Sequence, residues 1–202
     1  MTQSEPKYNG GLTREQFLFY ETRLVAGLRL SGLGDAEVVN RAVGENLFQF
    51  PTERMIRNIA SVCLRRLDAL GAPCLLEALA SSPAEVARQV NLYAMMRQNA
   101  IVRDFMLGVI AQKYRTKDFS FTSRDVYVFL ADLQQRQPDT AAWSEKTFAK
   151  IRQVLVKCLA ETGFLDSYKS TALKSVYLFE ELERGIRANN DTEALAAFNC
   201  LT

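Results

Sequence analysis

The residues best placed to do chemistry in this chain are its lysines and arginines, because the side chains that usually carry catalysis are missing or scattered. Among 202 residues there is no histidine. That removes the commonest acid–base group and metal ligand, and with it the Ser-His-Asp and Cys-His arrangements and the HExxH zinc site. No GxxxxGK phosphate loop, GxGxxG turn or GxSxG elbow occurs either. Gly10 and Gly11, and Gly32 and Gly34, read as turn glycines, since neither pair joins a strand to a helix. The carboxylates Asp35, Glu53, Glu145 and Asp191 fall at helix starts, where the helix dipole favours a negative charge. A nuclease built on carboxylates and a divalent metal would need a compact D…ExK cluster on strands, which is absent. Cys63, Cys74, Cys158 and Cys200 show no CxxC spacing and read as reduced thiols acting as small apolar side chains in a reducing compartment. We expect no enzyme activity, metal, cofactor or small-molecule substrate.

The basic residues are better organised. On a helix expected over residues 144–163, Phe148, Ile151, Leu155, Cys158 and Leu159 recur on one face. Lys146, Lys150, Gln153 and Lys157 line the opposite face, with small Ala149 and Ala160 beside them. Ammonium groups on such a face displace condensed counterions from DNA, and small neighbours allow close approach. The same stripe is also what a solvated surface helix carries. Arg152 belongs to the same helix. Two further groups, Arg54, Arg57 and Arg65, and Lys113, Arg115 and Lys117, are candidates for phosphate contact or for pairing with nearby acids. Phe48, Phe50 and Trp143 could stack on bases or serve as core.

The bulk composition sets limits on this reading. A formal charge of +2, from 25 basic and 23 acidic residues, is too small for coating nucleic acid by bulk attraction, so a binding face must be local. An apolar fraction of 48% suits an ordinary globular protein. The start, MTQSEPKYNGG, lacks the layout of a signal peptide, and the longest apolar runs, such as residues 105–111, fall far short of the roughly 20 that span a membrane. We expect a cytoplasmic protein.

The elements that must position these residues are helical, and the fold class expected is mainly α. Thr13 and Gln16 form a capping-box pattern, followed by Phe17, Tyr20, Leu24 and Leu28 at helical spacing. Asp35 can cap a second helix, and Thr52 opens a third over residues 52–70, with Arg54, Arg57, Ser61, Arg65 and Asp68 on its polar face. Pro73 and Pro83 suit helix starts, and two more helices, or one kinked one, run to about Tyr114. The connection YRTKDFSF marks a soft boundary between residues 1–115, an N-terminal helical bundle, and residues 116–202, a helical and winged-helix-like subdomain packed on it. There a capped helix, a loop and the basic helix lead to Phe164–Leu165 and residues 175–179, which read as short strands or further helix. That order suits a helix-turn-helix of winged type with at most a small β-hairpin.

Residues 8–20 (YNGGLTREQFLFY), 46–54 (NLFQFPTER), 63–67 (CLRRL), 143–148 (WSEKTF) and 161–165 (ETGFL) together resemble the BrxA family over nearly the whole chain. The family is a small core component of BREX bacteriophage-exclusion systems. The resemblance implies a cytoplasmic helical accessory protein in a defence operon that methylates host DNA, working beside the methyltransferase and other BREX proteins without enzymatic activity. It carries across no catalytic motif. The function expected is double-stranded DNA binding, mainly through the phosphate backbone. The alternatives are a protein–protein adaptor using the surface around Phe48–Phe50 or the acidic C-terminal helices, and, more weakly, RNA binding.

Overall fold

Amphipathic periodicity becomes helix along most of the chain. The computed structural model describes Tyr8 and residues 10–199. Among them it forms α1 (Phe19–Leu30), α2 (Asp35–Gly44), α3 (Glu53–Leu70), α4 (Pro73–Ser81) and α5 (Ala84–Gln98). Next come α6 (Ala100–Phe105), which runs through a π-turn (Met106–Ile110) into α7 (Ala111–Thr116), then α8 (Ser123–Arg136), α9 (Glu145–Glu161) and α10 (Glu180–Ala188). The stretch expected as one or two helices after Gly71 is therefore three, α4, α5 and the α6–α7 rod. Asn99 makes the extra break: its side chain accepts from the amides of Ile101 (3.0 Å) and Val102 (3.4 Å), capping α6 inside an apolar stretch.

Local chemistry accounts for the other ends. The Thr52 hydroxyl accepts from the Met55 amide at 3.3 Å, and Glu37 accepts from the Gly34 amide at 2.7 Å. Gly71 ends α3 at φ 76°, a conformation that costs glycine little. Asn189 then clamps that end, donating to the Leu70 carbonyl (2.7 Å) and accepting from the Ala72 amide (2.9 Å).

The first helix starts later than its capping-box pattern predicts. Residues Gly10–Thr13 form a 3-10 turn, and α1 begins only after Leu18, whose φ is 44°. The cause is Arg66, fully buried on α3. Its guanidinium takes the carbonyls of Glu15 (3.1 Å), Gln16 (3.0 Å) and Phe17 (2.6 Å), and Asn91 also donates to Phe17 at 2.7 Å. Carbonyls used by distant donors are not available to close helical turns, so residues 14–18 run as a strap.

One hydrophobic cluster includes residues from both halves of the chain, among them Val25, Ile56, Leu75, Val90, Phe105, Leu130, Leu155, Phe164 and Phe198. The turn before the strap packs on α9, and α10 packs on α4 and α5. Among the described residues, sheet structure is limited to one antiparallel bridge, Ser120 with Ala172. Around it Phe121 donates to the Thr171 carbonyl (2.9 Å), Leu173 to Phe119 (2.7 Å) and Lys174 to Phe164 (2.9 Å). Residues 171–174 thus lie between 119–121 and 164. Residues 175–179 are neither strand nor helix. The Gln89 side chain donates to the Tyr177 carbonyl at 2.7 Å, doing for that backbone what a neighbouring strand would.

Candidate nucleic-acid interface

The basic helix forms as its pattern predicts. The Ser144 hydroxyl accepts from the Thr147 amide at 3.3 Å and starts α9. Ile151, Val154, Leu155, Cys158 and Leu159 are buried. Lys146 and Gln153 are exposed, Lys150 and Lys157 are half-buried, and Ala149 is open to solvent. None of the three lysines enters an ion pair among the described residues, so their charge is free to act outward. Arg152 parts from them. It lies on another flank of α9, where it lines a crease with Tyr127 and Trp143.

Three of the other candidate cations, Lys113, Arg57 and Arg65, are held in ion pairs. Lys113 is turned inward, its ammonium 2.8 Å from Asp118 and 2.9 Å from Asp125. Burial opposes its charge, but the two carboxylates outweigh that and raise its pKa. The same contact, with hydrogen bonds from Ser120, draws Asp118 down to about 2. Arg57 pairs with Glu53 at 3.7 Å and Arg65 with Glu15 at 2.9 Å. Arg115 is exposed and donates to Gln112 at 3.3 Å. Lys117 is exposed and closes α7 at φ 56°. Arg54 is exposed and outside any ion pair among the described residues.

The aromatic candidates divide as well. Phe48 is 6% exposed and stacks edge-on with half-buried Phe50, so that pair packs inward and is not an open adaptor surface. Trp143 is half-buried against Phe148. Burial pushes the Cys63 thiol up to about 11 and that of Cys158 up to about 12, which keeps both protonated and inert. Cys74 is half-buried, and Cys200 lies outside the described residues. Among the described residues, no three His, Cys, Asp or Glu side chains gather as a metal would need. No helix of the described residues is long and apolar enough to cross a membrane.

Sequence reasoning missed Arg66 and the loop after α9. Arg66 did leave a signal: it stands three residues after Cys63 and four before Leu70, inside the apolar stripe of α3. The loop carries exposed Tyr168 and Lys169 at its tip, where the Ser167 amide donates to the Ser170 hydroxyl at 2.9 Å. Residues 119–121, ahead of α8, and 171–174, after the tip, are joined by backbone hydrogen bonds.

The family model for BrxA matches residues 6–190. The BREX protein BrxA of Bacillus cereus is 30% identical over 165 residues, which cover 82% of this chain and 82% of that protein. BREX protein BrxA of Paramagnetospirillum magneticum is 24% identical, over 93% of this chain and 94% of its own length. That of Escherichia coli O9:H4 is 26% identical, over 91% and 85%. The crystal structure of an uncharacterized protein from Magnetospirillum magneticum superposes with a TM-score of 0.82 at 22% identity, covering 96% of this chain and 98% of that one. That likeness shows a shared fold.

Proposed function

The chain belongs to the BrxA family, and we propose that it serves its BREX system by binding double-stranded DNA, without catalysis of its own. One observation carries this reading. Of the basic groups picked out by their spacing, the Lys146, Lys150 and Lys157 stripe combines outward placement, small neighbours and freedom from ion pairs on a single capped helix. Unpaired ammonium groups release counterions when they meet phosphate, whereas cations already held by carboxylates gain little. On a helix-turn-helix reading of α8 and α9, α9 would be the recognition helix, with its exposed face free to enter a major groove. Arg54 and Lys117 are free to add phosphate contacts, and Arg115 can join them by releasing Gln112. BREX membership makes other BREX components, the methyltransferase among them, the protein partners to try first, and duplex binding would place the chain in the cytoplasm.

Fluorescence anisotropy of a labelled duplex across a salt series tests this. The logarithm of affinity should fall linearly with the logarithm of salt, with a slope of roughly −3 or steeper if at least three phosphates are neutralised. Unlabelled duplex should compete better than single-stranded DNA or RNA. Absence of binding at low salt would sink the reading and shift weight to an adaptor that holds BREX proteins together.

A further inference from the structure

Beside the lysine stripe, the crease between α8 and α9 holds a cavity of about 390 Å³. Its walls are aromatic. Tyr127, on α8, is 63% exposed, and Trp143 and Phe148 meet edge-on with ring centroids 6.2 Å apart. Its rim is polar: Arg152 and Glu145 both line it, and neither is in an ion pair among the described residues. Gln134 completes the set. Its amide nitrogen is occupied by the carbonyls of Thr140 (3.3 Å) and Ala141 (3.1 Å), which turns its oxygen into the available acceptor.

We propose that this cavity binds a nucleobase. Rings that present a face suit stacking, which is sequence-tolerant because every base has a π-face. A base edge carries donors for Glu145 and Gln134 as well as acceptors, and the attached phosphate suits the unpaired guanidinium of Arg152. An apolar protein side chain would fill the same space but offer no partner to Glu145, Gln134 or Arg152 at its rim. The base has two possible sources: an unpaired base in DNA already held by α9, or a free nucleotide. The first rests on the duplex-binding reading and extends it, giving the protein a preference for DNA with an extrahelical base.

Two titrations of the full chain decide the matter. In the first, a duplex carrying one unpaired fluorescent adenine analogue is compared with the fully paired duplex. The bulged duplex should bind at least about fivefold tighter, with quenching of the analogue on binding. Tyr127→Leu should abolish the preference while leaving paired-duplex affinity within about twofold, and Tyr127→Phe should keep it. In the second, dAMP is added without duplex. Trp143 is the only tryptophan in the chain, so its emission reports on this cavity, and saturable quenching lost in Tyr127→Leu supports the base site. Quenching by dAMP with no bulge preference assigns the site to free nucleotides. A bulge preference that survives Tyr127→Leu, or the absence of both preference and quenching, overturns the proposal. If no duplex binds at all, the duplex-binding reading falls by itself and the dAMP titration alone judges this one.

Discussion

The guanidinium of Arg66, on α3, donates from Nη1 to the main-chain oxygen of Phe17 at 2.6 Å. This bond joins the middle of the molecule to the strap that precedes α1. Around it the same guanidinium meets the carbonyls of Glu15 and Gln16 and the side chains of Thr22, Asn91 and Gln98. Its partners are oxygens of neutral groups, so the charge is spread over dipoles. Burial lowers the pKa of Arg66, yet the acceptors around it hold the strap under the turn that packs on α9.

Removing that side chain should therefore cost more than its volume suggests. Arg66→Ala leaves several buried carbonyls without donors and is expected to destabilise the fold by about 3–5 kcal/mol. Arg66→Met, which fills the space without the charge, should cost less. Urea unfolding would measure both, and a loss below about 1 kcal/mol for Arg66→Ala would show that the strap does not depend on this contact.

The lysines of α9 should separate from Lys113 in what they affect. Changing Lys146, Lys150 and Lys157 together to Glu should reduce duplex affinity at least tenfold and flatten the salt slope by roughly 3, with little change in thermal midpoint. Lys113→Met should lower stability and leave the salt slope where it was. If the triple variant binds duplex like the parent, the interface lies elsewhere.

Acid should loosen the turn between α7 and α8 in a defined window. Asp118 is drawn from its ordinary 3.8 to about 2 by Lys113 and Ser120. Asp125 is also lowered: burial pushes it up, but hydrogen bonds from Lys113 and Thr122 outweigh that. A carboxylate with a depressed folded-state pKa contributes stability above its unfolded value and loses it as pH falls through the folded one. Denaturant midpoints should therefore drop as pH falls from about 4 towards 2. Lys113→Met should flatten that stretch, and equal slopes for the two proteins would refute the assignment.

Gly71 ends α3 where a side chain has no room. A Cβ there would collide with Asn189 Oδ1, and φ is 76°. Gly71→Ala should cost about 2–4 kcal/mol through strain and loss of the Asn189 clamp, with Asn189→Ala costing less. A differential-scanning measurement showing Gly71→Ala no less stable than Asn189→Ala would contradict this geometry.

How much of this was readable beforehand depended on the range of the interaction involved. The absence of histidine, the two faces of α3 and α9, the Thr52 and Ser144 caps and the break at Gly71 are written within a few residues, and the family resemblance rests on short runs of sequence. The 3.6-residue repeat also puts Arg66 within the apolar stripe, a signal that the reading of the α3 faces left out. Tertiary structure decided what local patterns cannot encode. Distant acceptors buried Arg66 and delayed α1, Asp118 and Asp125 drew Lys113 inward, and the meeting of α8 and α9 set which residues share a crease with Arg152. Residues 119–121, 164 and 171–174 became neighbours only through long-range backbone bonds. Periodicity reports which way a side chain faces on its own helix; which charge it meets there depends on how the next element folds back, as for Lys113 with Asp118 and Asp125, or on residues as far off as Glu15 is from Arg65.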